Sequence, residues 1–244
     1  MFMYVHELDY VCTSSPLWGH GRIGRAMLRP LIWRQCQVGG RLQLTQRLRS
    51  SLRWFIRVLE DEVCRHVGYI EPAVTRLALL YTDAEPNGRI AAVLISDRRT
   101  WCWTATVPSS IRRSLRYRAT QIVAYELLAA IMGLLIFDPM VGLSVRVLHF
   151  IDAQAALNIV VKGASRQSDL NALVGYLWLT LCKRQVKYWA RHVPSSANLA
   201  DGPSRERFDE MTRLSAEFAR ESPPDLRVAF DLFQAPHVPE HFAW

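Results

Sequence analysis

The chain has 244 residues, 50% apolar and 21% charged, a composition that excludes a disordered tract and suits one sizeable domain with appendages. Thirty Lys and Arg against 22 Asp and Glu leave a net charge of +8, supplied mostly by arginine, whose planar guanidinium suits phosphate. The five cysteines are odd in number and form no Cys-x-x-Cys pair, which argues against a disulfide framework or a zinc knuckle and predicts a reducing, intracellular setting, cytoplasmic or nuclear.

The first 76 residues show no basic-then-apolar leader and no hairpin pattern. They contain an arginine-rich helix candidate over Leu42–Val67. Residues 77–83, Leu-Ala-Leu-Leu-Tyr-Thr-Asp, form a short apolar run rich in strand formers. Asn87-Gly88 is a strong hairpin signal, and Asp97-Arg98-Arg99 marks a second turn. Strands over Ile90–Ser96 and Thr100–Val107 follow, giving three consecutive antiparallel strands. Trp101 and Trp103 share a face of the third, where packing is the simpler role and base stacking the alternative.

A helix is predicted over about Ala119–Phe137, with Val123, Leu127, Ala130, Ile131, Leu134 and Leu135 on one stripe. Its apolar core, Ile122–Phe137, is short for a membrane span and contains Glu126, so a buried helix is the reading. Val145–Ile151 reads as a buried strand, Ala153–Val161 as a short helix stopped near Gly163, and Ser168 as the cap of a further helix. Val186–His192 is a last strand, 193–199 a loop, and Asp201 onward a helix to about Phe218. Residues 219–244 carry four prolines and little periodicity. The expected organisation is a helical segment over 1–76, a mixed α/β domain over 77–208 and a C-terminal tail over 209–244.

Four acidic residues interrupt these patterns: Asp83, Glu126, Asp152 and Asp201. Asp83 and Asp152 close apolar strands, Glu126 lies within an apolar helix, and Asp201 opens a segment after a polar loop. A carboxylate on an apolar element is costly unless paired or bound to a cation. Mg²⁺ takes oxygen ligands, commonly a few carboxylates plus substrate phosphates. Two such ions about 3.5–4 Å apart are a standard device for cutting phosphodiesters. Singly, each acid has a structural alternative: a turn residue, a helix cap, or a partner for a nearby base such as Arg118.

The element order, with these acids in these slots, resembles ribonuclease H over roughly residues 77–208. The strings YTDA, FIDAQAALNIVVKGASRQSDLNALV and VPSSANLADGPSR look more closely like the ribonuclease H region of retroelement reverse transcriptases of the DIRS type. LRPLIWRQ and RLQLTQRLRSSLRWFIRVL look like the connection between polymerase and ribonuclease H in such elements. The resemblance implies a five-stranded mixed sheet with helices on both faces, and cleavage of the RNA strand of RNA–DNA hybrids with two Mg²⁺ ions, for which Mn²⁺ can substitute. Asp83 would bridge the ions, Glu126 and Asp152 would serve the first, and Asp201 the second. It implies a C-terminal portion of a longer polyprotein whose polymerase domain lies outside this sequence. Two departures stand out: Ala91 and Ala92 replace the usual strand-two glycines, and the loop before Asp201 lacks the usual histidine, the nearest being His192.

Substrate contacts are expected from Gln154 and Asn158, which follow Asp152 and can meet 2′-hydroxyls. Asn198, Ser204 and Arg205 flank Asp201 and are expected to bind backbone. Arg112, Arg113, Arg116 and Arg118 can hold phosphates or form a solvated loop. His66, His149, His237 and His241 show no ligand spacing. Two other functions remain open: a catalytically decayed ribonuclease H fold acting as a nucleic-acid-binding scaffold, and a transposase or integrase of the same superfold.

Overall fold

The computed structural model describes residues 24–36, 44–60, 76–141, 146–184 and 186–233. The chain divides into two compact units, one of residues 68–162 and 184–227, the other of 1–67, 163–183 and 228–244. Among the described residues no helix is long and apolar enough to cross a membrane.

The unit that carries the carboxylates is built on a mixed sheet. β1 (Leu77–Ala84), β2 (Arg89–Ser96) and β3 (Arg99–Thr106) form an antiparallel meander, and β4 (Arg146–Ile151) and β5 (Lys187–His192) add in parallel on the far side of β1. The order is β5-β4-β1-β2-β3-β6, the ribonuclease H-like arrangement. The sixth strand, β6 (Glu217–Phe218), extends the expected five and pairs in parallel with β3 through Trp101 and Cys102.

Both hairpins follow from their turn chemistry. Gly88 has a φ of 90°, and the Asn87 side chain accepts a hydrogen bond from the Arg89 N–H at 2.8 Å, an Asx turn. Asp97 and Arg98 both adopt left-handed backbone, φ 50° and 64°. That mirror-image geometry matches the twist of the strands they join.

Register assigns the two sheet faces. Leu80 pairs with Leu94 and Thr82 with Ala92, while Ala92 pairs with Trp103 and Leu94 with Trp101. These residues share one face, since paired residues point the same way and neighbours along a strand alternate. The long helix α4 (Ile122–Val141) covers it, and its residues from Ala124 to Met132 are buried. Gly133 is the point of closest approach: a methyl there would lie 2.8 Å from Ala92 Cβ. Ala92 and Gly133 thus set how near α4 comes to β1 and β2. Trp101 and Trp103 are buried on this face, and Trp103 Nε1 donates to Glu221 O at 3.0 Å, so both tryptophans pack rather than stack on bases.

The opposite face carries Ala91, Val93 and Cys102, packed by Ala200 and Met211 with Tyr81, Leu199, Phe208 and Ala216 around them. The single helix expected from Asp201 to Phe218 is instead two short ones, α7 (Asp201–Ser204) and α8 (Asp209–Arg213), followed by β6. The chain breaks where Glu206 and Ser215 turn left-handed, φ 60° and 50°, a conformation no helix continues. α3 (Ser109–Ser114) and α5 (Gln154–Lys162) complete this unit, α5 ending at Gly163 with a φ of 68°. α4 runs past Pro139 to Val141, four residues beyond the expected end.

The other unit is helical where described. It holds α1 (Arg25–Cys36), α2 (Gln46–Glu60), α6 (Ser168–Lys183) and all but the first residue of α9 (Arg227–Phe233). α1, with Pro30 inside it, has no clean periodic signature. Asn171 on α6 donates to Ala26 O at 2.8 Å, and its Oδ1 accepts the Ser165 N–H at 3.0 Å. The expected Leu42–Val67 helix is present as α2. Residues 1–23, residues 61–67 and the tail beyond Phe233, and with them Cys12, Cys64, His66, His237 and His241, lie outside the described residues. Cys102 and Cys182 are buried and form no disulfide.

Candidate metal centre

The sheet's topology gathers acids from distant parts of the chain. β1 and β4 lie side by side and parallel, with Tyr81 opposite Phe150 and Thr82 opposite Ile151. Asp83 and Asp152 follow those pairs and therefore reach the same edge. The Tyr81 and Phe150 rings stack there with centroids 4.6 Å apart and planes inclined by 18°, fixing the strands against each other two residues before the acids. Beneath, Thr82 Oγ1, the His149 ring and the Tyr188 hydroxyl form a buried chain across β1, β4 and β5, with contacts of 2.7 and 2.6 Å. Burial pushes His149 down to about 3, so it is neutral there and serves as a structural link.

α4 brings Glu126 to this edge. Its Oε1 accepts the Ala84 N–H at 3.3 Å. Asp83, Glu126 and Asp152 each offer a carboxylate oxygen within 4.8 Å of the others. Asp201, the first residue of α7, is not part of that group. It lies near enough to raise Asp83 electrostatically.

Each acid is held differently. Asp83 is buried and Oδ2 accepts a short hydrogen bond from Ser204 Oγ. Ser195 Oγ donates to Asp152 Oδ2 at 2.8 Å. Arg205 and Arg207 meet the two oxygens of Asp201 at 2.9 and 3.0 Å, and Arg205 also reaches Glu85 Oε1 at 2.9 Å. Glu126 is 3% exposed, and its Oε2 is buried with no hydrogen-bond partner.

An orphaned, fully buried carboxylate oxygen is expensive in a protein interior unless a cation or proton meets it. Burial, joined by the charges of Asp83 and Asp152, pushes Glu126 up to about 9 against the opposing Ala84 N–H. Burial likewise raises Asp83 to about 6, with the Ser204 hydroxyl pulling down and Asp152 and Asp201 pushing up. Hard oxygen donors, close spacing and an uncompensated buried oxygen fit a divalent cation held by Asp83, Glu126 and Asp152.

The expected substrate contacts divide into two groups. Gln154 and Asn158 are exposed on successive turns of α5, with Gln154 Nε2 donating to Asn158 Oδ1 at 3.3 Å. Arg205 is half exposed beside Asp201. Asn198 and Ser204, by contrast, are 5% and 0% exposed. Asn198 Nδ2 donates to Thr82 O at 3.0 Å and its Oδ1 accepts the Ala200 N–H at 3.2 Å, which ties the loop to the residue before Asp83. These two side chains support the carboxylates from inside and are not positioned to meet a backbone. Arg112 is also spent internally, donating to Val107 O and Asn87 O at 3.0 and 2.9 Å. Arg113 and Arg116 are exposed and precede the fully exposed Tyr117. His192 closes β5 and is exposed.

Sequence reasoning did not anticipate Ser195 and Arg207 at the site, nor the Tyr81–Phe150 stack. A hydroxyl in a serine pair and an arginine in an Arg-Glu-Arg run carry no distinguishing pattern; the stack was detectable only as an aromatic two residues before each strand-end aspartate.

No family model matches the chain, and no curated protein matches it. Among solved structures, it is similar to an RNase H1 from the halophilic archaeon Halobacterium salinarum NRC-1, at 19% identity and a TM-score of 0.36. That likeness covers 56% of this chain and 99% of the other.

Proposed function

We propose that the protein is a metal-dependent endonuclease of the ribonuclease H type that hydrolyses the RNA strand of RNA–DNA hybrids within a retroelement reverse transcriptase. The observation that carries the reading is the meeting of Asp83, Glu126 and Asp152 around an unsatisfied buried Glu126 oxygen, with ligand atoms within 4.8 Å. In this reading Mg²⁺ is the natural ion, held by those three acids, with Asp201 serving a second and Mn²⁺ able to substitute. When bound, the ions supply positive charge against a phosphodiester and favour the ionised form of water near it.

The chain's own residues do the rest. Ser204 and Ser195 each donate to one oxygen, Oδ2, of Asp83 and Asp152 and so fix how those carboxylates point. Asn198 binds the loop before Asp201 to β1. Gln154 and Asn158 present amides where 2′-hydroxyls would distinguish RNA from DNA, and Arg113, Arg116 and Arg205 supply cationic surface for phosphates. The net charge of +8 supports a polyanionic substrate. In this reading the ribonuclease H-like domain spans 77–208, preceded by a connection segment and followed by a tail, and the polymerase belongs to the same polyprotein.

The test is cleavage of a labelled RNA–DNA hybrid beside matched RNA–RNA and DNA–DNA duplexes, with and without Mg²⁺. Hybrid-selective, Mg²⁺-dependent cutting that disappears in Asp83→Asn supports the reading. Parent protein that binds hybrids yet never cuts them over a wide range of Mg²⁺ and Mn²⁺ refutes it.

A further inference from the structure

Asp201 differs from the other three acids in what holds it. Asp83 and Asp152 receive hydroxyls and Glu126 a backbone N–H, whereas each oxygen of Asp201 meets a different arginine: Oδ1 faces Arg205 Nη2 at 2.9 Å and Oδ2 faces Arg207 Nη2 at 3.0 Å. We propose that Arg205 and Arg207 clamp Asp201 in the free protein and release it to a divalent cation when nucleic-acid phosphates take the guanidinium groups. The proposal rests on the metal-site reading above.

The clamp is built by the turn that breaks the expected helix. The N–H groups of Arg205 and Arg207 both donate to Gly202 O, at 3.0 and 2.9 Å. A methyl on Gly202 would lie 2.9 Å from Arg207 O, so only glycine lets the chain fold back this tightly. Glu206, between the two arginines, takes a left-handed φ of 60° that a non-glycine residue rarely adopts. Its carboxylate pairs with Arg89 on β2. Reversing the chain at Glu206 puts Arg205 and Arg207 on either side of one carboxylate, and Arg205 is steadied further by Glu85.

The chemistry permits the exchange in both directions. The arginine side chains are 51% and 59% exposed while Asp201 is 20% exposed. Pairs with one partner in solvent are weak and screened by salt, which suits a contact that must open. A guanidinium matches a phosphate as well as it matches a carboxylate, often through two hydrogen bonds. Two arginines moving to phosphates would uncover Asp201 at the moment the substrate adds oxygen ligands of its own. Affinity for a second cation and affinity for nucleic acid are then coupled, each raising the other.

The experiment counts Mn²⁺ bound to the full chain by electron paramagnetic resonance and calorimetry, without nucleic acid. It compares the parent protein with Asp152→Asn, Arg207→Gln, Arg207→Lys, the pair Arg205→Gln/Arg207→Gln, and that pair with Asp201→Asn. The parent should bind a first Mn²⁺ that Asp152→Asn weakens. The pair should gain a second ion at an Mn²⁺ concentration about tenfold below the parent's, the effect of removing two partly exposed ion pairs, and Arg207→Gln, which removes one, at about threefold below. Arg207→Lys, which keeps the charge, should behave as the parent, and Asp201→Asn should erase the gain. An uncleavable hybrid with 2′-O-methylated RNA should bring the second ion into the parent itself. Isotherms that superimpose for the parent, Arg207→Gln and the pair overturn the clamp while leaving the metal site standing. Parent protein that binds no Mn²⁺ at all, with every variant alike, overturns both.

Discussion

Glu126→Gln tests the metal centre without an activity assay. In the metal-free fold, burial pushes this carboxyl up to about 9, whereas in the unfolded chain it ionises near its ordinary value of about 4.3. From about pH 5 to pH 7 the unfolded state has therefore lost a proton that the folded state keeps, and stability falls as pH rises, by linkage. One proton is worth about 1.4 kcal/mol per pH unit, so the wild type loses about 3 kcal/mol over that window through Glu126. The loss continues until the folded value, about 9, is reached. Glutamine keeps the shape and cannot ionise. Asp83 adds its own decline up to about 6 in both proteins, and this cancels in the comparison. Urea unfolding in chelator at a series of pH values should show Glu126→Gln gaining about 3 kcal/mol on the wild type between about pH 5 and 7. Saturating Mn²⁺ should restore wild-type stability above neutrality and leave the variant unmoved. Unfolding curves that stay parallel from about pH 5 to 9 would mean that Glu126 ionises normally in the fold, and the account of a buried, uncompensated carboxylate would be wrong.

Three further outcomes are expected. Millimolar Mg²⁺ should raise the melting temperature of the parent but not of Asp152→Asn, because a ligand that binds only the folded state stabilises it by mass action; equal responses would place any cation elsewhere. Ser204→Ala removes the hydroxyl that pulls the Asp83 value down, so it should cost about 2 kcal/mol where Asp83 is ionised, above about pH 6, and less below, read from the same urea series. Gly133→Ala should destabilise by about 1–3 kcal/mol through overpacking, since the new methyl would lie 2.8 Å from Ala92 Cβ, and Ala92→Gly in the same chain should recover part of that loss by making room.

How much of this was legible in the sequence depends on whether a residue breaks a pattern. Asp83 and Asp152 could be found because an acid ending an apolar strand is an exception, and Glu126 because an acid within an apolar helix is another. The hairpins were legible for a local reason: Asn87-Gly88 specifies its turn with no help from the rest of the fold. Ser204 and Asn198 carried no such mark. Asn198 lies in a polar loop and Ser204 in the polar segment just after it, where every residue looks solvated, and only the fold shows that both are buried against β1. The helix expected from Asp201 to Phe218 failed for the same reason. Its break at Glu206 brings that residue's carboxylate to Arg89, more than a hundred residues earlier, and periodicity cannot register a partner at that distance. α1 went unnoticed because an amphipathic stripe was the signal sought, and its residues offer none. Apolar periodicity reports which face of an element is buried, and so it also exposes the polar residue that should not be there. It says nothing about which polar residues a loop buries, and at this site those residues decide how the carboxylates point.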